Sequence, residues 1–248
     1  MLGGGGADTY TISKGHASSD GPEDAFGIVG DIINEIGGDL SSDAGDSVAF
    51  GGLTGENAID NVAFERTAIR FEDDEATLRM TTTNADGSQD VVHIFDHYNE
   101  DLPFRQVEQL LLDEGWEDDQ IWNLVAGTSG EKGETLTGEA YRDVLIGGSG
   151  DDVLISGGGV DVMQGGAGSD TFVLGDSGYT GTVADAHGNV TVIRDYVAGE
   201  DDIDLSALDI SVEDDVSVEN DDGGNNYLVH TRSADNTTTL LAEFTHSS

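Results

Sequence analysis

Residues 147–173 read GGSGDDVLI, SGGGVDVMQ and GGAGSDTFV, three copies of one nine-residue pattern. Each copy has a glycine-rich run of six residues that ends in aspartate and is followed by three residues with an apolar centre. The aspartates are Asp152, Asp161 and Asp170, and the apolar residues are Leu154, Met163 and Phe172. A glycine-aspartate repeat of this period predicts a parallel β-roll whose turns bind calcium.

Two weaker copies precede these three. They are SGEKGETLT from Ser129 and GEAYRDVLI from Gly138, and they extend the apolar column back to Leu136 and Leu145. The repeat region therefore covers residues 129–173. Five aligned copies of one pattern are difficult to reconcile with an unstructured glycine-rich linker.

The turns have the chemistry of a calcium cage. Glycine adopts backbone angles that are closed to residues with a Cβ atom, so each turn can bend sharply and direct carbonyl oxygens inward. Calcium takes about six to eight oxygen ligands in flexible geometry, and carbonyls and carboxylates both supply them. Successive turns lie on alternate sides of a roll, so partners in one site are eighteen residues apart. Turn 147–152 is expected to face 165–170, and turn 138–143 to face 156–161.

The predicted ligands follow from these turns. The side-chain ligands are Asp143, Asp152, Asp161 and Asp170. The backbone ligands are Gly147, Gly148, Gly150, Gly157, Gly158, Gly159, Gly165, Gly166 and Gly168. Three departures from the pattern are expected to weaken single sites. These are Ser156 in place of the first glycine, Glu139 and Tyr141 in place of glycines, and Glu134 in place of aspartate.

The repeat resembles the RTX family, whose members Gram-negative bacteria export by type I secretion. One more copy, GGGGADTYT over residues 3–11, has the aspartate-threonine-aromatic ending of GGAGSDTFV, which looks like the last turn of a repeat block. Its aspartate, Asp8, is a weaker candidate ligand, because no copy lies eighteen residues before it. The chain is therefore expected to be a piece of a longer protein.

The charge of the chain agrees with a divalent cation as the partner. Fifty-one acidic and nine basic residues give a formal net charge of −42. Nucleic acids and anionic membrane surfaces are poor partners, because their phosphates bind Lys and Arg. A solvated acidic surface is an additional explanation for part of this charge, but it does not account for the repeat.

Several features indicate an extracellular protein. The chain has no cysteine, so calcium would have to stabilise it in place of disulfides. No apolar stretch approaches the length of about 18 residues that suggests a membrane span. The opening MLGGGGADTY has no secretory signal pattern. The RTX resemblance implies export directed by a C-terminal signal instead.

We predict an all-β fold in four segments. Residues 1–11 are the last turn of an upstream block, 12–128 a β-rich associated domain, 129–175 the parallel roll, and 176–248 a C-terminal flank linked to capping and secretion. The segments around the roll are expected to be mostly antiparallel, with Asp86-Gly87 as a hairpin turn. FRQVEQLLLDEG, from Phe104, is compatible with one short helix or with a strand.

Two flanking regions carry further resemblances. Residues 76–122 are similar to the domain that accompanies the repeats in haemolysin-type calcium-binding proteins, which implies strands at VEQLLLDEG and QIWNL. VTVIRDYVAGEDDIDLSALDI, from Val190, resembles the segment that follows the roll in serralysin-type proteases. NNYLVHTRS and TTTLLAEFTH are expected to form a hairpin that caps the roll.

The predicted function is a calcium-binding module, not an enzyme, that folds on several calcium ions after type I export. His93 and His97 lack the glutamate of a zinc-protease motif. Two alternatives remain open. One is an adhesive or carbohydrate-binding module of a cell surface, which could use Tyr179, Tyr196 and Tyr227. The other is the C-terminal part of an exported hydrolase.

Overall fold

The computed structural model of the chain describes residues 9–13, 31–33, 47–51, 58–67, 77–83, 87–94, 109–112, 121–127, 132–175, 189–208, 210, 215–220, 226–232 and 237–246. The fold is all-β, as predicted, and the helical structure in this described part is a single 3₁₀ turn, Ala58–Asn61. The chain divides into two compact units, Met1–Leu124 and Val125–Ser248. The four-segment division stays a prediction. In the described residues no helix is long and apolar enough to cross a membrane.

The first unit contains eight strands. They are β1 (Thr9–Ser13), β2 (Asp31–Ile33), β3 (Ser47–Gly51), β4 (Val62–Thr67), β5 (Thr77–Thr83), β6 (Gln89–Ile94), β7 (Gln109–Leu112) and β8 (Ile121–Ala126), the last of which extends into the second unit. Strands β1, β3 and β7 pair in parallel, and β8 is antiparallel to β7. Strands β4, β5 and β6 form an antiparallel meander, with β2 parallel to β6.

Two local predictions in this unit can be compared with the structure. Strands β5 and β6 form the predicted hairpin, and Gly87 in their connection has a φ of 82°. The helix option for FRQVEQLLLDEG is wrong at residues 109–112, which form β7. The strand is favoured because it buries the apolar run: Leu110 and Leu111 are both buried and pair with β3.

The second unit contains the roll. Its strands are β9 (Thr135–Thr137), β10 (Asp143–Ser149), β11 (Val153–Ile155), β12 (Val162–Ala167), β13 (Thr171–Val173), β14 (Thr191–Tyr196), β15 (Asp202–Asp204), β16 (Asp215–Asn220), β17 (Asn226–Arg232) and β18 (Thr237–His246). Strands β9, β11, β13 and β15 form one parallel sheet. Strands β10, β12, β14 and β18 pair in parallel in the other. Consecutive roll strands thus alternate between two sheets, as the nine-residue repeat predicts.

The register of the roll is eighteen residues through the repeats. Leu154 lies opposite Leu136 on one side and Phe172 on the other, and Leu145 lies opposite Met163. Each three-residue strand buries its central residue between two less buried ones. The apolar column predicted from the sequence is therefore the inner face of the roll.

The roll continues beyond the repeats. Val192 and Ile193 of β14 pair with β12, and β15 pairs with β13, both in parallel. Where the repeats have a six-residue turn, the sequence has residues 174–191 after β13 and residues 195–201 before β15. The apolar column grows accordingly, and its buried members after the repeats include Leu174, Ile193, Leu228, Leu241, Ala242 and Phe244.

The predicted hairpin closes this end of the roll. Strands β17 and β18 are antiparallel, and β18 pairs in parallel with β14, with Phe244 opposite Ile193. The ring of Phe244 meets that of Tyr196 edge to face, at 5.6 Å between centroids. The hairpin thus covers the last described coil with apolar side chains, as a solenoid cap must.

Candidate metal centre

The connections between roll strands stack on two edges. We name them by their residues. The first edge consists of connections 127–134, 147–152, 165–170 and 195–201, and the second edge of connections 138–143, 156–161 and 174–191. On the first edge, Ser169 N donates to Asp151 Oδ1 at 2.9 Å. On the second, Gly158 N donates to the carbonyl oxygen of Glu139 at 3.0 Å. The two facing pairs of turns predicted from the sequence are therefore present.

A ladder of carboxylates joins the connections of each edge. The amide of Asp152 donates to Oδ1 of Asp170 at 2.9 Å, and the amide of Asp143 to Oδ1 of Asp161 at 3.0 Å. All four aspartates are buried. The carboxylates of Asp152, Asp161 and Asp170 therefore each accept a backbone amide of the connection one coil before, and that of Asp143 accepts the Glu139 amide of its own connection.

Burial leaves these carboxylates poorly stabilised in the absence of a cation. Asp161 is fully buried, and its Oδ2 accepts no hydrogen bond. Burial, followed by the charge of Asp143, raises the pKa of Asp161 to about 8. Burial raises the pKa of Asp170 to about 6. A buried anion with an unsatisfied oxygen is costly unless a positive charge compensates it.

The glycines allow the connections to stack at backbone contact distance. Gly166 and Gly168 have φ angles of 99° and 135°, which side chains other than glycine rarely adopt. A Cβ atom on Gly166 would overlap the carbonyl oxygen of Gly148, and one on Gly168 that of Gly150. Gly158 differs, because a Cβ atom there meets open space. A Cβ atom would meet another atom closely at six of the nine predicted backbone ligands, which are Gly147, Gly157, Gly159, Gly165, Gly166 and Gly168. Gly148 and Gly150 have positive φ angles of 153° and 120°.

The departures from the repeat have specific partners. Ser156 Oγ accepts the Gly175 amide, and the amide of Glu139 donates to Asp143 Oδ2 at 2.8 Å. Tyr141 is 70% exposed. Asp8, the weaker candidate ligand, lies outside the described residues.

Glu134 occupies the position of a repeat aspartate, although its side chain is one methylene group longer. Its amide donates to Asp152 Oδ1 at 2.8 Å, as the aspartates do to theirs. Its Oε2 lies 2.7 Å from the place of a Cβ on Gly127, and Asp143 Oδ2 lies 2.7 Å from the equivalent place on Gly138. The carboxylate of Glu134 therefore reaches the place that aspartate takes elsewhere.

Three residues of the ladder were missed in the sequence. The amide of Asp170 donates to Asp201 Oδ1, and that of Asp161 to Thr191 Oγ1 at 3.4 Å. Asp195 accepts the amides of Gly165 and Gly166 at 2.9 and 2.8 Å, and burial nevertheless raises its pKa. A signal was available, because Thr191 and Asp201 each stand two residues before an apolar strand centre, as Asp152 does.

The donor set fits a hard cation. In the described residues, no three His, Cys, Asp or Glu side chains form a group that could hold a metal by themselves. The stacked turns combine single carboxylates with backbone carbonyl oxygens, and calcium accepts such mixed oxygen ligands. The buried, unsatisfied Oδ2 of Asp161 is consistent with a cation at the second edge. The residues present therefore suit calcium, with carbonyls supplying much of the shell.

Of the aromatic residues proposed for glycan binding, one is fully buried and one is half-buried in the described part of the chain. Tyr227 is fully buried, and Tyr196 packs against Phe244. Tyr179 lies outside the described residues. The structure therefore removes Tyr227 from the residues that could bind a carbohydrate.

The chain is similar to known proteins in a family model and in solved structures. The family model described as Peptidase M10 serralysin C terminal matches residues 113–248. A subunit of the Azotobacter vinelandii mannuronan C5-epimerase is 25% identical, with a TM-score of 0.31 over 46% of this chain and 72% of that one. The extracellular lipase LipA of Serratia marcescens is 14% identical, with a TM-score of 0.20 over 100% of this chain and 36% of that one. No curated protein sequence matches the chain.

Proposed function

The chain belongs to the Peptidase M10 serralysin C-terminal family, whose roll is of RTX type, and we propose that it is a calcium-binding module that folds when calcium binds. The observation that carries the proposal is the ladder of buried carboxylates on stacked, glycine-rich connections. Asp143, Asp152, Asp161 and Asp170 would hold calcium together with carbonyls of the facing turns. Asp195 and Asp201 extend this set on the first edge, and Glu134 begins it.

Calcium would supply the positive charge that the roll lacks. The side chains bring several buried carboxylates together in a chain with a net charge of −42. Their mutual repulsion opposes folding. A ligand that binds only the folded state adds about 2.7 kcal/mol per site at a hundredfold excess over its Kd. Two such sites approach the net stability of a typical domain, about 5–15 kcal/mol.

The cellular role follows from this coupling. We propose that the chain remains unfolded where calcium is scarce, passes through a type I exporter, and folds outside the cell. Support comes from the family match and the RTX pattern of the repeat. We also propose that the chain itself is not an enzyme, so purified protein is expected to show no turnover of protein, lipid or glycan substrates.

A calcium titration followed by far-UV circular dichroism tests the proposal. The spectrum is expected to gain β-structure between excess chelator and millimolar calcium. Magnesium should substitute poorly, because its small octahedral shell dehydrates reluctantly. Asp152→Ala should raise the calcium midpoint, whereas Glu219→Ala should not, because Glu219 is exposed on β16. A wild-type spectrum that is the same with chelator and with calcium would refute the folding switch.

A further inference from the structure

The two edges of the roll carry opposite charges at one equivalent position. Asp151 precedes Asp152 in connection 147–152, and Arg142 precedes Asp143 in connection 138–143. We propose that the first edge binds calcium more tightly than the second, and that Asp151 and Arg142 set this difference. The inference rests on the proposed function, because it concerns the order in which the two edges load.

The fifth residue of connection 147–152 contacts the facing connection. Asp151 Oδ1 accepts the amide of Ser169, which is the fifth residue of the facing connection. Its negative charge therefore lies between two stacked turns of the first edge. Arg142 takes the same position on the second edge and is half-buried.

The charge of Arg142 interacts with the buried carboxylate of Asp161 at the second edge. Arg142 immediately precedes Asp143, whose amide donates to Asp161 Oδ1 at 3.0 Å, so the guanidinium group is carried by the backbone that contacts this carboxylate. A cationic side chain that stabilises the Asp161 anion also repels a divalent cation that approaches it. The positive charge of Arg142 therefore opposes the binding of calcium to the carboxylate of Asp161.

The carboxylates of the two edges differ in number as well. In the connections that are described throughout, the first edge has six carboxylates in three connections, and the second edge has three in two. The six are Asp151, Asp152, Asp170, Asp195, Glu200 and Asp201, and the three are Glu139, Asp143 and Asp161. The ladder of the second edge then passes to Thr191, whose neutral hydroxyl accepts the Asp161 amide. The affinity of oxygen sites for calcium depends strongly on the number of charged ligands. The first edge should therefore fill at lower calcium concentration.

The second edge nevertheless needs a cation. Asp161 is fully buried and its Oδ2 accepts no hydrogen bond, so Arg142 does not complete the coordination of that oxygen. Weak binding at this edge, rather than none, is the expected result. Calcium would then bind to the roll in two steps, at the first edge at low concentration and at the second edge at higher concentration.

Calorimetric calcium titrations of the full chain test this difference. Wild type should show a tight and a weak class of sites. Arg142→Gln should lower the half-saturation concentration of the weak class by about fivefold, because one repelling charge is removed at short range. Asp151→Asn should raise that of the tight class by about the same factor. Each variant should leave the other class unchanged, and Arg142→Lys, which keeps the charge, should resemble wild type.

An optical signal can assign the weak class to the second edge. Tyr141 is exposed and adjacent to Arg142, so its ring can transfer excitation energy to terbium bound nearby. The terbium emission that is lost in Tyr141→Leu should rise with the weak class of the wild type. It should shift to lower ion concentration in Arg142→Gln. Emission that rises with the tight class would contradict the assignment of the edges.

The remaining outcomes separate this inference from the proposed function. Wild-type protein that binds no calcium would overturn both. Calcium binding in a single class would overturn the inference alone. A weak class that shifts equally in Arg142→Lys and Arg142→Gln would also overturn it, since the effect would then come from the shape of arginine and not from its charge. Circular dichroism at saturating calcium verifies that each variant is folded.

Discussion

The backbone amide of Asp170 donates a 2.9 Å hydrogen bond to Oδ1 of Asp201, thirty-one residues further along the chain. The same bond joins Asp152 to Asp170 across eighteen residues. Asp201 therefore takes the place of a repeat aspartate although no nonapeptide surrounds it. The ladder of amides and carboxylates, and not the spacing in the sequence, defines where the roll ends.

Loss of the Asp201 carboxylate should destabilise the end of the roll. Its two oxygens accept the amides of Asp170 and Val197 at 2.9 and 2.7 Å. Asp201→Ala leaves both donors without this acceptor, which should cost about 2–3 kcal/mol. Urea unfolding at saturating calcium measures the change. Asp202→Ala is the control, because Asp202 is exposed, and an equal loss in both variants would contradict the role assigned to Asp201.

The glycines of the connections should not be interchangeable. Gly168→Ala places a Cβ atom against the carbonyl oxygen of Gly150 at a φ of 135°, and should cost about 2 kcal/mol or more. Gly158→Ala meets open space and should change stability by less than about 0.5 kcal/mol. The thermal unfolding of both variants in calcium gives the comparison. Similar losses in the two would mean that stacking contacts do not limit the turns.

Restoring the repeat residue at position 134 should weaken the roll. Glu134→Asp matches the consensus, but the shorter side chain withdraws its carboxylate from the place near Gly127 that Oε2 now takes. The calcium midpoint in circular dichroism should therefore rise. Asp152→Glu is the reciprocal variant and should also raise the midpoint, because a longer side chain moves its carboxylate away from the place near Gly147 that Oδ2 now takes. A lower midpoint in Glu134→Asp would show that the position of Oε2 near Gly127 does not favour glutamate.

Acid should replace part of the calcium requirement. The pKa of Asp161 is raised from 3.8 to about 8 and that of Asp170 to about 6, so the folded, metal-free roll binds more protons than the unfolded chain between these values. Stability from protonation is then complete below the unfolded pKa of 3.8 and is lost as the pH rises through about 6 and about 8. Circular dichroism in excess chelator should show more β-structure near pH 5 than near pH 8.

A neutral side chain at position 161 provides the control for this pH effect. Asp161→Asn removes the group with the higher pKa, so the change in β-structure above about pH 6 should shrink. The change that belongs to Asp170 should remain. A pH profile identical to that of wild type would assign the effect to the general charge of the chain.

The repeat predicts the centre of the roll in detail, because every copy has to form the same turn and the same strand. Asp152 and Leu154 recur with a fixed spacing, and the structure gives their strands the eighteen-residue register that this spacing implies. The C-terminal hairpin was also predictable, since β17 and β18 are long runs of strand-forming residues. The RTX resemblance adds the family but not the places where this chain departs from it.

The end of the roll was not predictable from the repeat. Residues 174–191 replace a six-residue turn, so the spacing is lost although β14 keeps its register with β12. Thr191 can take the place of aspartate because the amide of Asp161 needs only an acceptor oxygen. The strand β7 was uncertain for another reason. Leu110 and Leu111 suit either a helix or a sheet, and only pairing with β3 decides between them.

Strand β18 restricts how a roll of this kind can change its length during evolution. It is the next strand of the sheet after β14. Of the described strands beyond it in that sheet, β17 is antiparallel to β18 and β16 is antiparallel to β17. New repeats must therefore arise inside the roll and not after this cap. Duplication of eighteen residues, such as 147–164, adds one coil and keeps each later connection on its edge. Duplication of nine would instead place every later connection on the opposite edge from its earlier partners, so viable lineages should differ by whole coils.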